Sequence, residues 1–301
     1  MMNKGLFLVL GTAIISGVSI FINQFGVKMV NPYIFTGLKN IVVVVLILGL
    51  LLFIKEFKNL KKLSKKDWLR LLIIGFVGGS IPFLMFFKGL SMTTGPEASY
   101  IHKFLFIVIA LLAPLFLKEK WNWQYLIGLG ALFIGGVMLF QVNGFFTWNS
   151  GNLLILGATI LWSIENIISK KAVAKISPRI VALGRMGFGS LFIVLFWIFT
   201  NQIDLVATLD VKQFWWVALT GLLLFGYVTT WYTGLKYIPL TYAAAILALG
   251  APITALLQLM QGQEFATTQI WGMSIMFTGA LFFVIADKYI CSHSRTQLNT
   301  Q

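Results

Sequence analysis

Reactive side chains are scarce in this chain of 301 residues, which has one cysteine, two histidines and nine acidic residues. Cys291 has no second cysteine to meet, so an intrachain disulfide and a CxxC redox or metal site are excluded. His102 and His293 cannot form the i, i+4 histidine pair of an HExxH zinc helix. No GxSxG nucleophile elbow and no GxxxxGK[ST] phosphate loop occurs, which leaves a serine hydrolase or an ATP-driven pump without its signature. Gly184 to Gly189, GRMGFG, lacks the strand and polar surround of a nucleotide loop and reads as close helix packing. Charge is also sparse, at 11% of residues against roughly 25% in a soluble domain.

What the chain has is apolar surface: 58% hydrophobic residues and a mean hydropathy of +0.89. Charge-free runs cover 5–27, 71–87, 121–164, 213–235, 237–263 and 265–286, and about 20 such residues suffice to cross a bilayer. The net charge of +14 would suggest nucleic-acid binding in a soluble protein. Here the basic residues cluster between the apolar runs and read as topology signals. The opening MMNK and the apolar run behind it resemble a secretory leader, but no small-residue cleavage site follows, and the segment is expected to be permanent.

Sliding the second half over the first by 146 residues sets Gly11 on Gly157, Pro32 on Pro178 and Lys39 on Arg185. With the offset drifting to 144, Gly89 falls on Gly234, Glu119 on Glu264, and Gly128 and Gly135 on Gly272 and Gly279. Such agreement marks an internal duplication. The expected spans are 5–25, 33–54, 70–88, 96–117, 123–141, 152–170, 180–200, 213–235, 241–261 and 268–286. Each repeat holds five spans, an odd number, so the second must start on the opposite side of the membrane and the repeats are inverted. The domains expected are 5–141 and 150–287, followed by a cytoplasmic polar tail at 288–301, of which 292–301 is read as disordered.

Loop charge tests the inversion independently. With the N-terminus in the cytoplasm, 17 basic residues flank the inner ends of the spans, against Lys28, Lys88 and Lys212 outside. The basic stretch 55–70 corresponds to the acidic stretch 201–211, a reversal that two repeats with the same orientation would not produce. Trp68, Trp121, Trp123, Trp148, Trp215, Trp216 and Trp271 fall at span ends, where amphipathic rings favour the interface.

Near the end of the second repeat, Pro252-Ile253-Thr254-Ala255 leads to Glu264 and then to Gly272 and Gly279, and the first repeat carries Glu119, Gly128 and Gly135 likewise. Over about residues 5 to 287 the chain resembles the EamA family of the drug/metabolite transporter superfamily. The resemblance implies ten helices as two inverted repeats and the transport of a small solute, without naming the cargo. One departure is Ile107 at the position equivalent to Pro252, with the proline displaced to Pro114, where a kink would lie about two turns later.

Ionisable residues inside spans are functional candidates by default: Lys39, Glu97, His102, Lys103, Glu165 and Arg185. Lys39 lies seven residues past Pro32, roughly 10 Å along a helix, and shares the outer half with Glu97, His102 and Lys103, whereas Glu165 and Arg185 share the inner half. A Glu165–Arg185 ion pair is one expectation; a proton carried on Glu165 and competing with substrate is the other. Lys39 has Ser19 where Arg185 has Glu165, so it either pairs with Glu97, snorkels outward, or joins His102 and Lys103 in a basic pocket for a carboxylate or phosphate. Ser99, Lys103, Ala110 and Pro114 follow one helix face. Trp231, with Trp162, Tyr227 and Tyr232, is a candidate cavity wall, and Pro82, Pro114 and Pro252 are candidate hinges or cavity walls.

The function expected is secondary transport, by alternating access, of a small anionic or zwitterionic metabolite such as an amino acid, with proton-coupled export as one form. The alternatives are a structural or assembly protein of the membrane and an exporter of cationic or drug-like compounds. No enzyme activity, cofactor or metal is expected. The partners expected are a small-molecule substrate and the lipid bilayer, with no nucleic acid and with a homodimer as an alternative to the monomer. The location expected is the cell membrane, with both termini in the cytoplasm.

Overall fold

The structure, a computed structural model, describes residues 2–119, 123–139 and 149–298. Lys120, Trp121 and Trp148 lie outside the described residues. The described chain is helical throughout: α1 Met2–Met29, α2 Pro32–Phe53, α3 Lys65–Ile74, α4 Ile81–Leu90, α5 Gly95–Lys103, α6 Leu105–Leu117, α7 Trp123–Leu139, α8 Ser150–Val173, α9 Pro178–Phe199, α10 Val211–Leu235, α11 Leu240–Leu247, α12 Gly250–Met260 and α13 Thr267–Leu298. A π-helical segment, Gly75–Ser80, joins α3 to α4 into one span, while α5–α6 and α11–α12 each form a span with a single interruption.

Eight of these helical stretches are long and apolar enough to cross a membrane, and Tyr125–Leu139 is a shorter apolar helix. With α13 they make a multi-pass membrane protein of ten spans. The residues at 292–298, expected as disordered, instead prolong α13.

Local chemistry sets the span ends. Pro32 and Pro178 open α2 and α9 in the first turn, where the missing N–H costs nothing. Capping boxes at Ser64–Asp67, Thr94–Glu97 and Asp210–Gln213 satisfy otherwise orphaned N–H groups. Trp68, Trp123, Trp215 and Trp271 stand exposed near helix starts, as interfacial anchors do.

Packing shows the inversion directly. The span α1 lies against α10 as α8 lies against α4, and α1 packs on α11–α12 as α8 packs on α5–α6. Two pairs are their own equivalents, α2 with α9 and α7 with α13, so they sit on the pseudo-twofold axis. In the second of these a methyl added to Gly135 would lie 2.7 Å from the Gly272 carbonyl oxygen, and one on Gly279 would lie 3.3 Å from that of Gly128. The earlier glycine of each helix thus meets the later glycine of the other. Equivalent helices that run antiparallel are what an axis in the membrane plane requires.

The interruption in α5–α6 falls at Phe104 and that in α11–α12 at Ala248–Leu249. At the offset of 145 that relates Glu119 to Glu264, Phe104 coincides with Leu249. The kink expected at Pro114 is therefore not where the fourth span breaks: Pro114 lies inside α6, which continues through it. Position in the repeat, rather than proline, sets the break. At the crossing Lys103 Nζ donates to Ser16 Oγ at 2.9 Å and would lie 2.9 Å from a methyl on Gly250, so α1, α5 and α12 approach closely there.

Candidate functional site

A central cavity of about 60 Å³ lies between α1, α2, α4, α5, the start of α6, α8, α9 and α10. Three basic side chains face it, Lys39, His102 and Arg185; its polar lining is completed by Ser16, Ser19, Asn23, Asn166 and Tyr227, and its apolar wall includes Phe83, Phe86, Phe87 and Trp162. None of the lining residues is acidic.

Lys39 is 1% exposed. Its ammonium donates to Asn23 Oδ1 at 2.6 Å and stands 4.2 Å from the centroid of Phe87 and 5.0 Å from that of Phe35. Cation–π attraction of about 0.5–2 kcal/mol offsets part of its desolvation. The expected pairing with Glu97 does not form: Glu97 caps its own helix at Thr94 and accepts from Thr93, which ties it to the start of α5.

The Glu165–Arg185 ion pair is likewise replaced by an indirect contact. Among the described residues no Glu165–Arg185 approach falls within ion-pair distance. Tyr232 stands between them, its hydroxyl donating to Glu165 Oε1 at 2.6 Å and its ring centroid 5.8 Å from the Arg185 guanidinium. Ser169 also donates to Oε1, and Oε2 has no donor among the described residues. Arg185 Nε donates to the carbonyl of Gly78 at 3.1 Å, and Trp162 Nε1 donates to the same oxygen at 2.9 Å. The π-helical segment makes this possible, because it releases backbone carbonyls toward the cavity; the neighbouring Gly79 carbonyl accepts from Asn40. Gly78 has no room for a side chain, since a methyl there would sit 2.2 Å from Glu165 Cγ.

The remaining sequence candidates divide in two. His102 reaches the cavity, its ring 5.0 Å from that of Trp162 and 5.5 Å from that of Phe86. Ser99, Lys103 and Trp231 are buried behind the wall: Ser99 donates to Thr254 at 3.4 Å, Lys103 to Ser16, and Trp231 to Asn166 at 2.7 Å. Pro82 opens α4 immediately after the π-helical segment, and Pro252 lies in the first turn of α12 after the break at Leu249. Residues that sequence reasoning did not single out are Ser16, Asn23 and Asn166. They carry no charge, but Thr12, Ser16, Ser19 and Asn23 recur at spacings of four, three and four, a polar stripe on one face of α1.

The two ends of the helix bundle are not alike. At the end where α10 turns into α11, Glu119 accepts from the backbone N–H groups of Leu240 and Thr241 at 2.7 and 3.0 Å, and from the Thr241 hydroxyl at 2.7 Å. Lys170 donates to the carbonyls of Leu235 and Ile238 at the same turn. The repeat equivalents at the other end are Glu264 and Gln24. Glu264 is exposed and makes no hydrogen bond among the described residues, while Gln24 Oε1 accepts from Gln258 Nε2 at 3.3 Å and the Gln24 amide nitrogen is buried without a partner among them.

This duplicated helical architecture matches known proteins. The EamA-like transporter family matches residues 3–141 and again 149–285, one copy on each repeat. This chain belongs to the EamA-like transporter family. Among the relatives of this EamA protein, an uncharacterized transporter of Bacillus subtilis (strain 168), YetK, is 27% identical over 289 residues, covering 91% of this chain and 84% of the relative. YyaM, another uncharacterized transporter of that organism, is 20% identical over 283 residues and covers 91% of both chains. A crystal structure superposes with a TM-score of 0.75 at 16% identity, spanning 94% of this chain and 97% of the other, a likeness of fold. The EamA chain is thus a membrane transporter, and its central cavity is the place to look for substrate recognition.

Proposed function

We propose that this EamA protein is a secondary transporter of small organic anions or zwitterions, working by alternating access in the cell membrane with both termini in the cytoplasm. The observation that carries the substrate class is the cavity lining, with the basic side chains of Lys39, His102 and Arg185 and no acidic one. A buried amino group with no acidic partner, as Lys39 is among the described residues, is expensive to charge in hydrocarbon, and a substrate carboxylate would relieve that cost.

Alternating access is supported by the inverted repeats and by the unequal ends. One end is latched by Glu119 and Lys170, whereas at the other end, among the described residues, Glu264 makes no hydrogen bond and Gln24 bonds only Gln258. Two repeats that exchange these settings would open the cavity to the two sides in turn. The cavity volume of about 60 Å³ is small beside the roughly 300 Å³ of a formed ligand pocket, so the helices around it must part to admit a solute. Positive-inside loop charge supports the orientation. Glu165, buried with Oε2 lacking a donor among the described residues, is our candidate coupling residue.

Purified protein in proteoliposomes, offered amino acids, organic acids and amines with and without a pH gradient, tests the reading. Carboxylate-bearing solutes are expected to move and simple amines are not; transport of amines with none of carboxylates would contradict it. Glu165→Gln is expected to keep exchange while losing accumulation driven by the pH gradient, and an unchanged response to the gradient would show that Glu165 does not carry the proton.

A further inference from the structure

The repeat symmetry extends into the cavity wall residue by residue. In the second half Glu165, Ser169, Arg185 and Tyr232 form one cluster, with the carboxylate taking hydrogen bonds from Ser169 and Tyr232 and the guanidinium beside the tyrosine ring. Offsets of 146 and 145 place Ser19, Asn23, Lys39 and Phe87 at these four positions. They adopt the same arrangement. Asn23 Nδ2 donates to Ser19 Oγ at 2.9 Å, one helical turn apart as Ser169 is from Glu165, and the Lys39 ammonium stands over the Phe87 ring. The chemistry differs most at the first position, where the second half supplies a carboxylate and the first a hydroxymethyl group; Phe87 also lacks the hydroxyl of Tyr232, and Lys39 bonds Asn23 where Arg185 bonds the Gly78 carbonyl. Ser19, Asn23 and Lys39 all face the cavity.

We infer that the substrate's carboxylate binds beside Lys39, Asn23 and Ser19, in the place that the Glu165 carboxylate fills in the other repeat. The inference rests on the transport reading above and adds which group is recognised and where. Glu165 acts as the internal template: a single carboxylate takes hydrogen bonds from a short side chain one turn away and from the tyrosine hydroxyl, with the cation beside that ring. Lys39, already held by Asn23, supplies the charge-assisted donor. The rest of the molecule would lie against Phe83, Phe86 and Trp162, which selects a monocarboxylate with an apolar remainder.

Leucine, 4-methylpentanoate and isopentylamine share one apolar remainder and separate the carboxylate from the amino group. Thermal unfolding of the intact protein in detergent reads their binding. Both carboxylates are expected to raise the Tm and the amine is not. Lys39→Gln is expected to weaken carboxylate binding about tenfold or more, while Lys39→Arg retains it. Ser19→Glu supplies the missing carboxylate within the chain and is expected to abolish the response to both acids without lowering the Tm. Should Ser19→Glu fail to fold, the two Lys39 variants carry the test. Carboxylates that stabilise the wild type and the Lys39 variants equally would overturn this inference while leaving anion transport standing. A response to the amine alone, or no response of the wild type to either acid, would overturn both.

Discussion

Lys39 and Arg185 occupy one repeat position met twice, each seven residues past a helix-opening proline and each buried against an aromatic ring. What separates them is the neighbour one helix away, Ser19 in one case and Glu165 in the other. The same closeness explains why Gly78 must stay small: its carbonyl serves Arg185 and Trp162 while its Cα backs onto Glu165. Gly78→Ala places a methyl 2.2 Å from Glu165 Cγ and is expected to cost about 1–3 kcal/mol by overpacking. Gly187→Ala, where a methyl meets nothing within 4 Å, is the neutral control. Thermal melts of both variants check this, and equal Tm values would contradict it. At this scale the ionisable candidates were legible because charge inside an apolar run stands out. Tyr232, 67 residues from Glu165, was not legible as its partner, because helix rotation decides which faces meet. Glu97 misled for the opposite reason: a carboxylate two residues past a Gly-Pro helix start serves the helix N-terminus rather than a distant ammonium.

At the scale of elements, the interrupted spans α5–α6 and α11–α12 break at equivalent positions although only the second has a proline nearby. The break therefore belongs to the crossing of α1, α5 and α12 around Lys103, Ser16 and Gly250. Pro252 lies in the first turn of α12, where its missing N–H has little to lose. Pro252→Ala is accordingly expected to leave transport within severalfold of wild type in proteoliposomes. A loss of a hundredfold would show that the proline itself makes the break. Span number, order and approximate bounds were readable from apolar runs and repeat alignment. The π-helical segment and both interruptions were not, since no residue type demands them and tertiary packing creates them.

For the whole molecule, inversion was readable twice over, from aligned residues and from opposed loop charge, and the antiparallel meeting of Gly128 with Gly279 and of Gly135 with Gly272 is its structural expression. The two settings were not legible at the glutamates, because Glu119 and Glu264 share a position and a residue type, yet among the described residues only Glu119 is engaged; the sequence sign of asymmetry at these ends is Gln24 where the other repeat has Lys170. The account's central claim is that the repeats exchange these settings around a cationic cavity. Cysteine reactivity tests it most directly, in a Cys291→Ser background with single cysteines at Ile238 and its repeat equivalent Thr93, probed by a membrane-impermeant maleimide in solubilised protein. Ile238 is 4% exposed beside the latch, whereas Thr93 is half-buried at the unlatched end. The account predicts slow labelling of Ile238→Cys and fast labelling of Thr93→Cys, with Glu119→Ala raising the first and lowering the second. Labelling that rises at both positions together, or that Glu119→Ala leaves unchanged, would contradict it.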